Sequence, residues 1–130
     1  MYTFDDLIHI TEELRSEHGC PWDRVQTHES LKKCLSDECE EVLEAIDKKD
    51  MENLCEELGD VLLNLVLQAR IAEEENAFTM EDVVDGICRK MIRRHPHVFG
   101  ERKALTPEES LRLWQEIKQE EKQKEKKQNP

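Results

Sequence analysis

Glycine and proline are scarce in this chain, four of each in 130 residues, and aromatic residues make up only 5%. So little punctuation argues against a strand-and-turn fold and favours long helices. No run approaches the roughly 18 apolar residues of a membrane-spanning helix, and no N-terminal apolar stretch resembles a signal peptide. The expected location is the cytoplasm. Cys20, Cys34, Cys39, Cys55 and Cys88 form an odd set without C-x-x-C spacing, so they read as reduced thiols with no zinc or disulfide role.

Charge is what the chain has in abundance. Charged residues account for 38% of it, and acids outnumber bases to a net charge of −12. Such a balance disfavours non-specific binding to nucleic acid or to an anionic membrane surface. The length suffices for one domain with one modest core. A single domain over residues 1–119 is expected, followed by a charged tail, 120–130.

Apolar spacing places the helices. Phe4, Leu7, Ile8, Ile10 and Leu14 recur at near-helical intervals, and Gly19 is a C-terminal stop. The stretch 20–27 reads as a loop, because Pro21 cannot continue that helix. A second helix is expected from about His28 to Lys48, and a third, capped by Asp50, from Met51 to Glu75. That third helix is apolar nearly all round its middle, a pattern of a bundle's central helix or of one buried by a partner subunit. "TMED" at 79–82 matches a capping box, which starts a fourth helix near Met80 and carries it to about Arg94. Residues 95–105 read as irregular around Pro96 and Gly100. "TPEE" at 106–109 opens a last helix bearing Leu111, Leu113, Trp114 and Ile117. From Glu120 onward no apolar face remains, and fraying is expected. The fold class is all-α: an antiparallel bundle of four to five helices, completed by oligomerisation.

Four acids stand out. Glu38 and Glu41 lie three apart on the second helix, as do Glu57 and Asp60 on the third, so each pair projects from one side. Acids at this spacing are commonly a solvated face. Glu57 and Asp60, however, run directly into the apolar "VLLNLVLQA". If the two helices pack antiparallel across the short link at 47–50, four carboxylates converge. Their mutual repulsion would raise their pKa values unless a hard cation neutralised them. All-oxygen ligands suit Mg²⁺, with Mn²⁺ as a substitute. A di-iron bundle would need Glu-x-x-His pairs, which are absent. Lys90, Arg93 and Arg94 share a helix face and suit a polyphosphate, although cations there also compensate a helix C-terminus. Trp22, beside Pro21 and Asp23, offers either a stacking surface for a base or a plug for the core.

The stretches "GCPWD" (19–23), "QTHESLK" (26–32), "EVLEAID" (41–47), "EELGDVLL" (56–63), "ARIAEEE" (69–75), "RRHPHVFG" (93–100) and "WQEIK" (114–118) carry a resemblance. Over roughly residues 5–120 the chain resembles the MazG-type nucleoside triphosphate pyrophosphohydrolases of the all-α NTP pyrophosphatase superfamily. The resemblance implies Mg²⁺-dependent cleavage between the α- and β-phosphates of a nucleotide, giving a monophosphate and pyrophosphate. The family's E-E-x-x-E and E-x-x-D motifs fall on Asp37, Glu38, Glu41, Glu57 and Asp60. It implies metal binding by Glu38, Glu41, Glu57 and Asp60, with the general base open between Asp37, Glu38 and Glu41. Asp37 stands where the family usually has Glu, one methylene shorter, which leaves a non-catalytic helical nucleotide-binding or protein-interaction module as the rival reading. Lys90, Arg93 and Arg94 would stabilise the departing pyrophosphate, and Trp22 would hold the base. Relatives of this type are typically oligomeric, so a homodimer or higher homo-oligomer is expected.

Overall fold

The computed structural model describes residues 1–128. Among these the protein is all-α, with five long helices and two of a single turn. In chain order they are α1 (Phe4–Leu14), α2 (Pro21–Arg24), α3 (Lys32–Asp47), α4 (Met51–Glu74), α5 (Met80–Arg94), α6 (Pro96–Phe99) and α7 (Pro107–Gln128). The chain divides into two compact units, Met1–Met80 and a second beginning at Glu81.

In the first unit α4 is central and packs against both α3 and α1. The C-terminal half of α4 supplies most of the buried core: Val66, Leu67, Ala69, Ile71 and Ala72. Leu31, Leu67 and Ile71 form one cluster, covered by Leu63. Each such side chain is worth roughly 1.5–3 kcal/mol when fully withdrawn from water. Thr3 and Asp6 cap α1 reciprocally, with Thr3 N donating to Asp6 at 2.8 Å and Asp6 N donating to Thr3 Oγ1 at 3.2 Å. After α1 the chain doubles back so tightly that a Cβ at Gly19 would collide with the Glu13 and Leu14 carbonyls. Only glycine fits there.

Two local expectations are corrected. The stretch 20–27 is not all loop: Pro21 ends nothing, but sits at the first position of α2, where its missing N–H is no loss. The helix expected from His28 begins four residues later. Thr27 and Ser30 bond to each other's backbone N–H at 2.8 and 3.1 Å, holding a separate turn before α3. That turn is tied to α4 through His28 Nδ1 and Gln68 Oε1, 2.5 Å apart. Asp50 caps α4 as expected, accepting from Asn53 N at 3.1 Å.

Between α3 and α4 the reversal is made by Lys49 at φ 55, in the left-handed region. Asp50 N reaches back to Ala45 O at 3.0 Å, the six-residue closure of a Schellman turn. No glycine is present to take this conformation. A lysine adopts it at a cost of about 1 kcal/mol. Asn76, at φ 60, closes α4 in the same way, with Ala77 N donating to Ala72 O at 2.9 Å.

In the second unit α7 buries Leu113 and Ile117. Its N-terminus is capped by Thr106, which accepts from Glu109 N at 3.2 Å. Residues expected to be irregular after Arg94 form the one-turn α6, again with proline in its first turn. The helix also continues past Glu120 to Gln128 instead of fraying there. Glu121 gives the reason: its carboxylate is bound by Arg93 and Arg94. The rest of the tail, 129–130, lies outside the described residues. Helix α5 is amphipathic yet has no buried residue among those described; Val83, Val84, Ile87 and Ile92 are all exposed.

Candidate metal centre

Helices α3 and α4 form a hairpin, and simple arithmetic on its turn predicts which acids meet. Glu41 and Glu57 each lie eight residues from Lys49, and Glu38 and Asp60 each lie eleven away. At 1.5 Å per residue, an antiparallel pair sets Glu41 level with Glu57 and Glu38 level with Asp60. The electrostatics bear the same pairing: Glu57 feels Glu41 most strongly, and among neighbouring charges Asp60 acts most strongly on Glu38.

Three of the four acids converge. One oxygen from each of Glu41, Glu57 and Asp60 lies within 4.8 Å of the others. Glu57 is hydrogen-bonded to the Glu41 carboxylate, and that bond, with burial and the charges of Glu41 and Asp60, pushes its pKa up to about 7. A carboxyl and a carboxylate therefore share a proton near neutrality. Glu38 stands beside this trio. Burial raises its pKa first, and the Asp60 charge adds to the rise.

The Asn64 side chain opposes that rise and favours the ionised form of Glu38. Side chains on a helix tilt toward its N-terminus. On antiparallel helices, Glu38 therefore leans away from the turn and Asn64 leans toward it, so the two meet. This lean explains why Glu38 is not drawn into the tight trio. Glu38 Oε2 and Glu57 Oε2 are both buried without a hydrogen-bond partner.

Unpaired acceptors facing like charge are costly in a folded protein, and a cation removes the cost. The geometry fits one. Oxygen ligands of octahedral Mg²⁺ lie about 3.0 Å apart when adjacent and about 4.2 Å when opposite, so the trio closes by as much as about 1.8 Å to grip one, a movement that carboxylate rotamers can supply. The cluster is all oxygen, with no His or Cys in it, which suits a hard cation.

The remaining sequence candidates lie elsewhere. Asp37 is on the exposed side of α3 and is paired with Lys33 at 3.1 Å. Trp22, on α2, is 57% exposed, so it does not plug the core. Its turn is held by Arg15, whose guanidinium donates to the Asp23 and Gln26 carbonyls and grips Glu74. In the second unit Lys90 is half-buried, while Arg93 and Arg94 both clasp Glu121. Arg94 also lies over the Trp114 ring, 5.0 Å from its centroid, and His95 meets the same ring edge-on.

Three contributors escaped the sequence reading. Asn64 was detectable in principle, as an amide four residues after Asp60 in an apolar run. The Arg15 staple and the Glu121 clasp were not, because their partners lie 59 and 27–28 residues away.

An all-α chain presenting a carboxylate cluster across a helical hairpin is the class of protein defined so far. The MazG nucleotide pyrophosphohydrolase domain family matches residues 26–99, and the chain belongs to that family. It is 54% identical, over 95% of its length, to the nucleoside triphosphate pyrophosphohydrolase/pyrophosphatase MazG of Thermotoga maritima, of which it covers 47%. To the nucleoside triphosphate pyrophosphohydrolase of Escherichia coli it is 42% identical, over 93% of this chain and 46% of that protein. The chain thus spans about half the length of these relatives. The crystal structure of a mazG-related protein from Thermotoga maritima superposes with a TM-score of 0.74 at 35% identity, covering 88% of this chain and 98% of that one. No helix among the described residues is long and apolar enough to cross a membrane.

Proposed function

We propose that the chain is a divalent-metal-dependent nucleoside triphosphate pyrophosphohydrolase that cleaves the α–β phosphoanhydride to a monophosphate and pyrophosphate. The convergence of Glu41, Glu57 and Asp60 beside the unpaired Glu38 Oε2 carries this reading. These four carboxylates would hold Mg²⁺, or Mn²⁺ in its place. When bound, the cation supplies charge neutralisation of the triphosphate and polarisation of its phosphorus.

The chain's own groups do the rest. Glu57 gives up its shared proton when the site fills. Asp37, Glu38 and Glu41 are the carboxylates that can take a proton from the attacking water; of these, Asp37 must first leave Lys33. Lys90, Arg93 and Arg94 would stabilise charge on the departing pyrophosphate, with Glu121 yielding the two arginines. The exposed face of Trp22 would stack on the base, and Arg15 would keep its turn in place.

Residues 1–119 are proposed to act as one domain, with a cytoplasmic role in clearing nucleotides and no nucleic-acid or membrane partner. The exposed apolar faces of α5 and of α4 (Leu58, Leu62, Leu65) support a homodimer or higher homo-oligomer.

Incubation with Mg²⁺ and a panel of canonical and modified nucleoside triphosphates tests the reaction. Equal amounts of pyrophosphate and monophosphate are expected. Orthophosphate as the product would overturn the cleavage position. No product from any substrate would favour a non-catalytic binding module.

A further inference from the structure

Asn64 is 3% exposed in the middle of α4, among Val66, Leu67 and Leu63. An amide costs free energy at such a depth unless its polar atoms are used. Its side chain comes close enough to the Glu38 carboxylate to favour that acid's ionised form. Its Oδ1 is buried and has no partner, and so is Glu38 Oε2. Two buried, unsatisfied oxygens thus lie at the margin of the acidic trio. A residue kept only for packing would be better replaced by leucine.

We propose that Asn64 is a positioning residue for the metal centre, fixing the Glu38 carboxylate so that its free Oε2 is presented to the cation held by Glu41, Glu57 and Asp60. This rests on the metal-dependent reading above. Helical spacing supports it. Glu57, Asp60 and Asn64 follow at i, i+3 and i+7, so α4 presents one polar stripe to α3. Without the amide, Glu38 is an acid in a half-buried site facing the Asp60 charge, free to take other rotamers. With it, the carboxylate is held aimed at the trio. Partners that orient ligands in this way typically contribute about 10–100-fold to metal affinity.

Titration calorimetry with Mn²⁺ alone, on the full chain at pH 8, tests the idea without substrate. Asn64→Leu should weaken Mn²⁺ binding by about 10–100-fold. Its melting temperature without metal should change little, since the unsatisfied Asn64 Oδ1 leaves the core while Glu38 loses its amide neighbour. Glu38→Gln should weaken binding too, and the double variant should bind no more weakly than Glu38→Gln alone, because Asn64 acts through Glu38. A folded Asn64→Leu protein binding Mn²⁺ like the wild type overturns the proposal, as does full additivity in the double variant. Should Asn64→Leu melt early, Asn64→Ser provides the same comparison with a smaller side chain. A wild-type chain that binds no Mn²⁺ would refute the metal reading itself, a result distinct from either.

Discussion

Lowering the pH from 8 to 6 should weaken divalent-metal binding about tenfold, and Glu57 supplies the number. Its carboxyl pKa stands at about 7 in the metal-free fold because it shares a proton with Glu41. A cation needs the ionised form, so proton and metal compete. The apparent affinity is divided by one plus the ratio of proton concentration to the acid constant. That factor is about 1.1 at pH 8, about 2 at pH 7 and about 11 at pH 6. Glu38 is also raised, so it acts in the same direction and makes tenfold a lower bound.

The stability of the metal-free protein runs the other way. An acid whose folded pKa lies above its ordinary 4.5 holds its proton more tightly when folded. That contribution is complete below pH 4.5 and is lost as pH rises through 7. The metal-free chain should therefore lose melting temperature between pH 5 and 8, and Mn²⁺ should restore it most at the alkaline end. Calorimetric titration at pH 8, 7 and 6 in buffers of different ionisation enthalpy gives both the affinity and the protons released. About half a proton should leave per metal at pH 7, and nearly one at pH 6. Affinity that is flat from pH 6 to 8, with no proton released, would refute the shared-proton account of the cluster.

Other substitutions test separate parts of the molecule. Lys49→Gly should raise stability by about 1 kcal/mol by removing left-handed strain, a few degrees in melting temperature; no rise would mean the turn is not strained. Glu121→Ala leaves Arg94 without its carboxylate partner, at a cost of about 1 kcal/mol for a pair this close to the surface. It should also lower KM for the triphosphate by freeing two arginines, and an unchanged KM would remove Arg93 and Arg94 from substrate binding. Trp22→Ala should raise KM several-fold with little change in kcat; a loss confined to kcat would argue against base stacking.

Much of this architecture was legible because helices announce themselves by period and by caps. The start of α4 followed from Asp50, and its apolar stripe carried the helix to within a residue of its end. The pairing of acids was legible for the same reason, since residues three apart share a face. What stayed hidden depended on contacts between distant segments. Nothing local says that His28–Leu31 form a turn of their own, because Leu31 fits a helical stripe whether or not the helix has begun. The inclination of Glu38 toward Asn64 comes from two antiparallel helices tilting their side chains oppositely, which no single helix reveals. Arg93 and Arg94 read as free cations, and only folding shows that Glu121 already neutralises them.

The reversal at Lys49 has a mechanical corollary. Glu41 and Glu57 each stand eight residues along their helices from it, a lever of roughly 12 Å. On that lever, opening the hairpin by five degrees would spread the oxygens by about an ångström, enough to spoil coordination by a small ion. A lysine that touches neither ion nor nucleotide thus governs the aperture of the acidic jaws, and deletions or insertions there would shift one row of teeth past the other.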